Sequence, residues 1–299
     1  MCNKLLFFIV SFFSVFILAS QIESQEKLED DFKLYIQNNR YNNYIVNLAV
    51  SNNQIDFYHY LGNYYIDKKK EDIINLKNVE EGLNILFPDR NARAFLCLNI
   101  ENEVYKGIRD NLKDSKKFIH NNQELIKLIQ FVKKKRPNVQ VGIYGIPFNY
   151  YWSVQKLRNT EKKYDELLRE VDFISPHLYI HYPNHQVGKT ANFDYLNKNM
   201  VQALEYGKRL NKPVIPYVWY LVHPANKKYG REYIDVNTMK EYLNHIRKFQ
   251  FEGRKINGVI WWEPSKLNYK IYESSKMPSQ SKILSIDYIL SQNLKFLNE

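Results

Sequence analysis

The segment Ala94-Phe-Leu-Cys-Leu-Asn-Ile-Glu-Asn-Glu-Val-Tyr-Lys-Gly107 opens as a near-continuous apolar run and then breaks into Asn99, Glu101 and Glu103. Such a run, apolar at successive positions, is the pattern of a strand covered on both faces, as in a parallel sheet. The carboxylates just beyond it stand where a strand gives way to the following loop.

Similar runs recur along the chain: Tyr44 to Ser51, Arg93 to Ile100, Val139 to Phe148, Val171 to Ile180, Pro213 to Leu221 and Ile256 to Pro264. Between them lie segments of helical period, from Asn121 to Pro137, Phe193 to Pro213 and Val236 to Gly253, each closing on a proline or glycine that stops a helix. Strands alternating with helices imply βα units with right-handed crossovers. The fold class expected is α/β, a (β/α)8-type, TIM-like barrel whose first part is irregular or incomplete, because Gln54 to Pro88 shows no clear period. A doubly wound sheet is the alternative, and the lack of a glycine-rich phosphate loop after any strand counts against its nucleotide-binding form.

The chain begins with one lysine, Lys4, an apolar block from Leu5 to Ala19 and then small residues, the layout of a secretory signal peptide over residues 1–20. That block is shorter than the roughly 20 residues a spanning helix needs. Residues 21–299 are read as a single barrel domain, exported and without stable membrane insertion once the leader is cleaved. The destination is the cell exterior or a lysosomal or other endomembrane lumen, and a monomer is expected. With Cys2 in the leader, Cys97 is the only remaining cysteine. No internal disulfide can then form, and Cys97, between two leucines, reads as an inert buried thiol.

A formal charge of +11 makes an acidic partner plausible. The lysines are dispersed in runs such as Phe131 to Pro137, which read as solvated helix faces, so a clustered nucleic-acid stripe is not expected. His181 and His185 share an i, i+4 spacing, but Pro183 between them opposes the helix a metal pair would need. Neither a metal nor a cofactor is expected.

In a barrel the chemistry sits at the carboxyl ends of the strands. Here these ends are rich in aromatics: Tyr150, Tyr151 and Trp152; His177, Tyr179 and Tyr182; Trp219, Tyr220 and His223; Trp261 and Trp262, followed by Glu263. Aromatic faces stack on sugar rings while carboxylates bind hydroxyls, so this mixture points to a glycan cleft.

These motifs resemble, in order, those of the hyaluronidase-type glycoside hydrolases, (β/α) barrels acting on polymers that contain N-acetylhexosamine. Leu98-Asn-Ile-Glu101 is similar to that family's Asp-x-Glu strand end, Gly142 to Tyr151 to its Gly-Tyr-Tyr…Pro-x-x-Tyr segment, Pro176 to Tyr179 to its Pro-x-x-Tyr, and Gly258 to Glu263 to its late Val-Ile-Trp strand. The resemblance implies Glu101 as the acid that protonates the leaving oxygen, Asn99 in the place of the Asp that steadies the substrate acetamido group, and Tyr150, Tyr179 and Trp261 as walls beside the scissile bond. It also implies an acidic glycosaminoglycan substrate. Asn99 could orient an acetamido group but carries no negative charge, and the disulfides of animal members cannot form here.

If the acetamido group is the internal nucleophile, no second enzymic carboxylate is required. Otherwise Glu103 or Glu263 would serve, and with Trp262 they complete the expected substrate-binding set. A barrel that binds glycans without cleaving them, as a lectin does, is the alternative that Asn99 favours.

Overall fold

The computed structural model describes residues 32–67, 73–160, 162–264 and 286–298. The expected leader, residues 1–20, lies outside them.

The chain runs β1 (Lys33–Ile36), α1 (Asn43–Ser51), β2 (Ile55–Leu61), α2 (Asn63–Ile66), α3 (Leu76–Leu86), β3 (Ala94–Leu98), α4 (Glu103–Asp110), α5 (Lys116–Lys135) and β4 (Val139–Tyr144). It continues through a 3₁₀ segment (Ser153–Asn159), α6 (Asp165–Glu170), β5 (Phe173–Ser175), α7 (Asn184–Val187), α8 (Lys189–Leu210), β6 (Tyr217–Val218) and α9 (Val236–Lys248). A two-stranded hairpin, β7 (Gln250–Phe251) with β8 (Arg254–Lys255), then leads to β9 (Gly258–Trp261), and α10 (Ile286–Asn293) follows.

Seven parallel strands form one sheet in the order β5-β4-β3-β2-β1-β9-β6. The two ends of that order meet: Ile174 bridges to Val214 and His177 to Tyr217, both parallel. Backbone bonds from Ile215 N to Ile174 O (2.9 Å) and from Leu178 N to Tyr217 O (2.8 Å) stitch this seam. The sheet is therefore a barrel of seven staves, which removes the unpaired edges an open sheet would leave.

Contacts between non-adjacent strands identify the residues that fill the interior. Tyr35, Phe95 and Phe173, from β1, β3 and β5, form one layer with ring centroids 4.7 and 5.4 Å apart. Above it Tyr58 meets Tyr217 edge-on at 5.9 Å, and the Cys97 Sγ lies 4.0 Å from the Ser175 Oγ. A third layer holds Tyr60, Asn99, Tyr144, His177 and Trp262 at the carboxyl end. Inward positions recur every second residue, so β3 contributes Phe95, Cys97 and Asn99 in turn.

Tyr44 to Ser51, read above as a strand, is helical. Its β-branched and aromatic content favours a strand, but Asn42 caps the segment by accepting from Ile45 N (3.1 Å), and Ile45 and Ala49 bury one face at an i, i+4 spacing. The first two staves are instead β1 and β2, where no strand was expected. The helix expected to close on Pro213 ends earlier, at Asn211 in the left-handed region with φ 52°.

Gly142 on β4 faces the Phe173 ring, which occupies the space a Cβ would need. Gly142→Ala should therefore destabilise the barrel by about 1–3 kcal/mol, as overpacking does. Denaturant unfolding checks this, and Phe173→Leu in the same chain should recover part of the loss.

Candidate active site

Beyond Leu98 the backbone stays in register for one more residue, with Asn99 N donating to Leu61 O at 3.0 Å. The next inward position is Glu101. Between and beyond them the chain is pinned by Asn102, whose Oδ1 caps α4 by accepting from Val104 N and Tyr105 N, and whose Nδ2 donates to Asp67 at 3.2 Å. Asn63 Oδ1 accepts from Glu101 N at 3.2 Å. These bonds send two neighbouring carboxylates in different directions. Glu101 enters the barrel mouth, while Glu103 joins the first turn of α4 and pairs with Lys106 at 2.7 Å on the surface. Lys106 holds the Glu103 carboxyl below its usual range.

Glu101 lines a cleft of about 450 Å³ at the carboxyl ends of the strands. Tyr105, Lys106, Arg109 and Arg158 are among its lining residues, as are Tyr151, Trp152, His181 and Tyr182. Tyr144, His177 and His223 line it also. Glu101 is open to solvent on the cleft side and enclosed by protein elsewhere. This enclosure raises its pKa above the ordinary carboxylate value, against a hydrogen bond from Asn99 that lowers it. Asn99 also donates to the Tyr60 hydroxyl at 2.6 Å, whereas its buried Oδ1 has no hydrogen-bond partner.

Three histidines, two of which (His177 and His223) the strand-end pattern placed among the rim aromatics, pack together here. His181 and His223 lie 4.4 Å apart between ring centroids, and His177 stacks on His223 at 5.9 Å. Asn149 Nδ2 contacts both His181 Nε2 and the Tyr195 hydroxyl at 2.8 Å, and Tyr195 donates to Tyr179 O, so the amide hydrogens are used and His181 Nε2 is an acceptor. Burial first, and then the neighbouring imidazoles, push His177 well below its ordinary pKa; the same causes take His181 to about 3, and burial takes His223 to about 4. The stack is therefore neutral near pH 7. His185 points elsewhere, towards Glu232 at 3.4 Å. Among the described residues no group of three or more His, Cys, Asp or Glu is arranged to hold a metal.

The remaining expected residues divide by face. Tyr179 is buried against Tyr144, Trp219 and His223 at the base of the cleft. Trp262 leans over Tyr60 at 5.1 Å within the third layer. Trp261 takes the opposite face of β9, fully buried and stacked on Tyr220 at 5.6 Å, so it does not wall the mouth. Tyr150 likewise turns away: its backbone is held by Asn199 at both N–H and C=O, and its side chain borders a separate depression. Tyr151 and Trp152 line the cleft in its place.

Glu263 is 1% exposed, accepts from the Tyr220 hydroxyl at 3.0 Å, and leaves Oε2 without a partner. It does not line the cleft. Among the residues lining that cleft, Glu101 is the only carboxylate.

No protein-family model matches the sequence, and no curated protein matches it. Among solved structures, bee venom hyaluronidase superposes with a TM-score of 0.58 at 13% identity, over 82% of this chain and 98% of that one. The same enzyme in complex with a hyaluronic acid tetramer superposes with a TM-score of 0.50 at 15% identity, over 69% and 75% of the respective chains. The likeness is one of fold. It places this chain's barrel beside a known barrel architecture and leaves the chemistry to the residues themselves.

Burial raises the pKa of Glu263 to about 8, with Asp287 adding to the effect and Tyr220 and Arg40 opposing it. The folded state thus keeps a proton that the unfolded chain sheds above about 4.5. Its stabilising contribution is full below that value and is lost as pH rises through about 8. Glu263→Gln should remove this dependence, so its melting temperature relative to the parent should rise from pH 5 to pH 9 in a thermal-melt series.

Proposed function

We propose that this protein is a glycoside hydrolase that cleaves beside an N-acetylhexosamine in an acidic polysaccharide, with Glu101 as general acid. The observation that carries the reading is the Glu101 carboxyl, set at the barrel mouth beside Asn99 and held protonated to higher pH by enclosure. Protonated Glu101 gives its proton to the glycosidic oxygen as the bond to the anomeric carbon breaks. The cleft offers no second carboxylate among its lining residues, which fits a substrate acetamido oxygen as the group that attacks the anomeric carbon. Water then opens the resulting ring, and Glu101, now ionised, takes the water's proton.

Asn99 serves this scheme through its hydrogen bond to Glu101; its Oδ1 is closed to solvent, and it supplies none of the charge that an Asp would place beside the developing cation. Lys106, Arg109 and Arg158 line one side of the cleft, Lys106 paired with Glu103 and both arginines with the single carboxylate of Asp110, so that this side keeps a small positive excess towards carboxylate-bearing sugars. Export as a soluble monomer belongs to the same reading. Asn99 also favours a second one, a barrel that binds glycans and has lost cleavage.

Reducing-end release from hyaluronan, chondroitin and chitin oligomers separates the two. Glu101→Gln should lower turnover by about 10²–10⁴-fold while the fold is retained. Turnover by the parent should fall as pH rises through the elevated Glu101 pKa, because the acid must carry its proton. Asn99→Asp should raise turnover by about tenfold or more, in line with the effect of one added charge near a transition state. Binding without release by both the parent and Asn99→Asp would favour the lectin.

A further inference from the structure

A second concavity, of about 320 Å³, lies beside the cleft and belongs to none of the chemistry above. Tyr150, Lys156, Lys162, Lys198 and Arg209 border it, with Glu205 the one carboxylate among its lining residues. Its floor is rigid. Asn159 is tied to Phe148 through both N–H (3.0 Å) and C=O (2.6 Å), and the buried Gln202 donates to the same carbonyl at 3.1 Å. Arg209 is locked by Asp165 at 2.6 Å and lies over the Tyr206 ring at 4.6 Å.

The lysines around this floor lack the carboxylate partners that several lysines elsewhere have. Lys127, Lys133, Lys135 and Lys208 each meet a carboxylate within 2.8 Å. On α8 itself Lys189 pairs with Glu241 and Lys208 with Glu252, while Lys198 between them has no acidic partner among the described residues. Lys156 and Lys162 have none there either. Three ammonium groups outnumber Glu205 in this concavity, and the remaining positive charge is stabilised by an anion placed between them.

The concavity also shares its wall with the cleft. The 3₁₀ segment Ser153–Asn159 presents Arg158 to the cleft and Lys156 with Asn159 to the second concavity. A polymer leaving the cleft over this segment would meet the lysines next. The two local rings, Tyr150 and Tyr206, are 7% and 3% exposed, so they offer no free face on which nucleic-acid bases could stack.

We infer that the Lys156–Lys162–Lys198 concavity is an exosite for an anionic polysaccharide, holding carboxylate or sulfate groups of a chain whose neighbouring sugars occupy the cleft. The inference rests on the polysaccharide reading of the cleft. It assigns the lysines a role in binding long chains and none in bond cleavage.

The test compares the full chain with the double variant Lys156→Ala/Lys198→Ala and with a charge-matched control, Lys127→Ala/Lys208→Ala, after all three are shown to melt alike. Binding of polymeric hyaluronan and of a hyaluronan tetrasaccharide is titrated at low and at moderate salt. The exosite predicts an affinity loss of about tenfold for the polymer at low salt in the first variant, shrinking with salt, and no change for the tetrasaccharide or in the control. Equal losses in both doubles, a matching loss for the tetrasaccharide, or unchanged polymer affinity would each overturn it. So would a single-stranded oligonucleotide that binds more tightly than hyaluronan and is lost on the same substitutions. Lysine-dependent polymer binding without any reducing-end release would sink the hydrolase reading and leave the exosite standing; release with lysine-indifferent binding would do the reverse.

Discussion

The seam between β5 and β6 is the constraint on which the rest of the molecule depends. β6 has only two residues of regular strand and β5 three, so closure rests on a few backbone bonds around Ile174, Ile215, Tyr217 and Leu178. Those bonds position the loops that follow. His177 and Tyr179 leave one side of the seam and His223 the other, and His223 N donates to Ile180 O at 2.7 Å. Without the seam, Glu101 would face an open sheet edge instead of a walled cleft.

The interior then explains why aromatic residues are so common in this chain. A barrel of seven staves must fill its own bore, and rings from alternate strands do so in layers. The Phe95–Phe173 contact reaches across β4 only because Gly142 carries no side chain. Nearer the mouth the same inward positions turn polar, from Cys97 and Ser175 to Asn99 and His177. The cleft floor is the last layer of the packing, with amide, imidazole and carboxyl groups in place of carbon.

How much of this could be read from the sequence follows from the lengths and faces involved. β3, β4 and β9 are apolar for most of their length and bounded by turn signals, so the runs that contain them were recognisable. β1 is four residues long, and β2 has a mixed pattern of buried and half-buried positions, so neither rose above its surroundings. Glu101 was marked by its place just past an obvious strand and by the motif resemblance; the structure adds that it continues that strand's every-second-residue inward series. The aromatic walls were harder. Tyr150-Tyr151 and Trp261-Trp262 are doublets, and adjacent residues in extended chain face opposite ways. Their composition marks a strand end but cannot say which ring turns inward. The histidine stack was hidden for another reason, since His177 and His181 are brought to His223 only by the seam.

Cys97 draws a practical consequence from the same architecture. Its thiol is fully buried inside the bore, between Tyr217 and Ser175, and burial pushes its pKa up to about 12. Neither a reagent nor hydroxide can reach the sulfur while the staves remain joined. Alkylation of this thiol would therefore proceed only through openings that part the barrel, and its rate under native conditions would report the free energy of that opening. The molecule carries its own clock for the integrity of the bore, placed by packing and independent of any substrate.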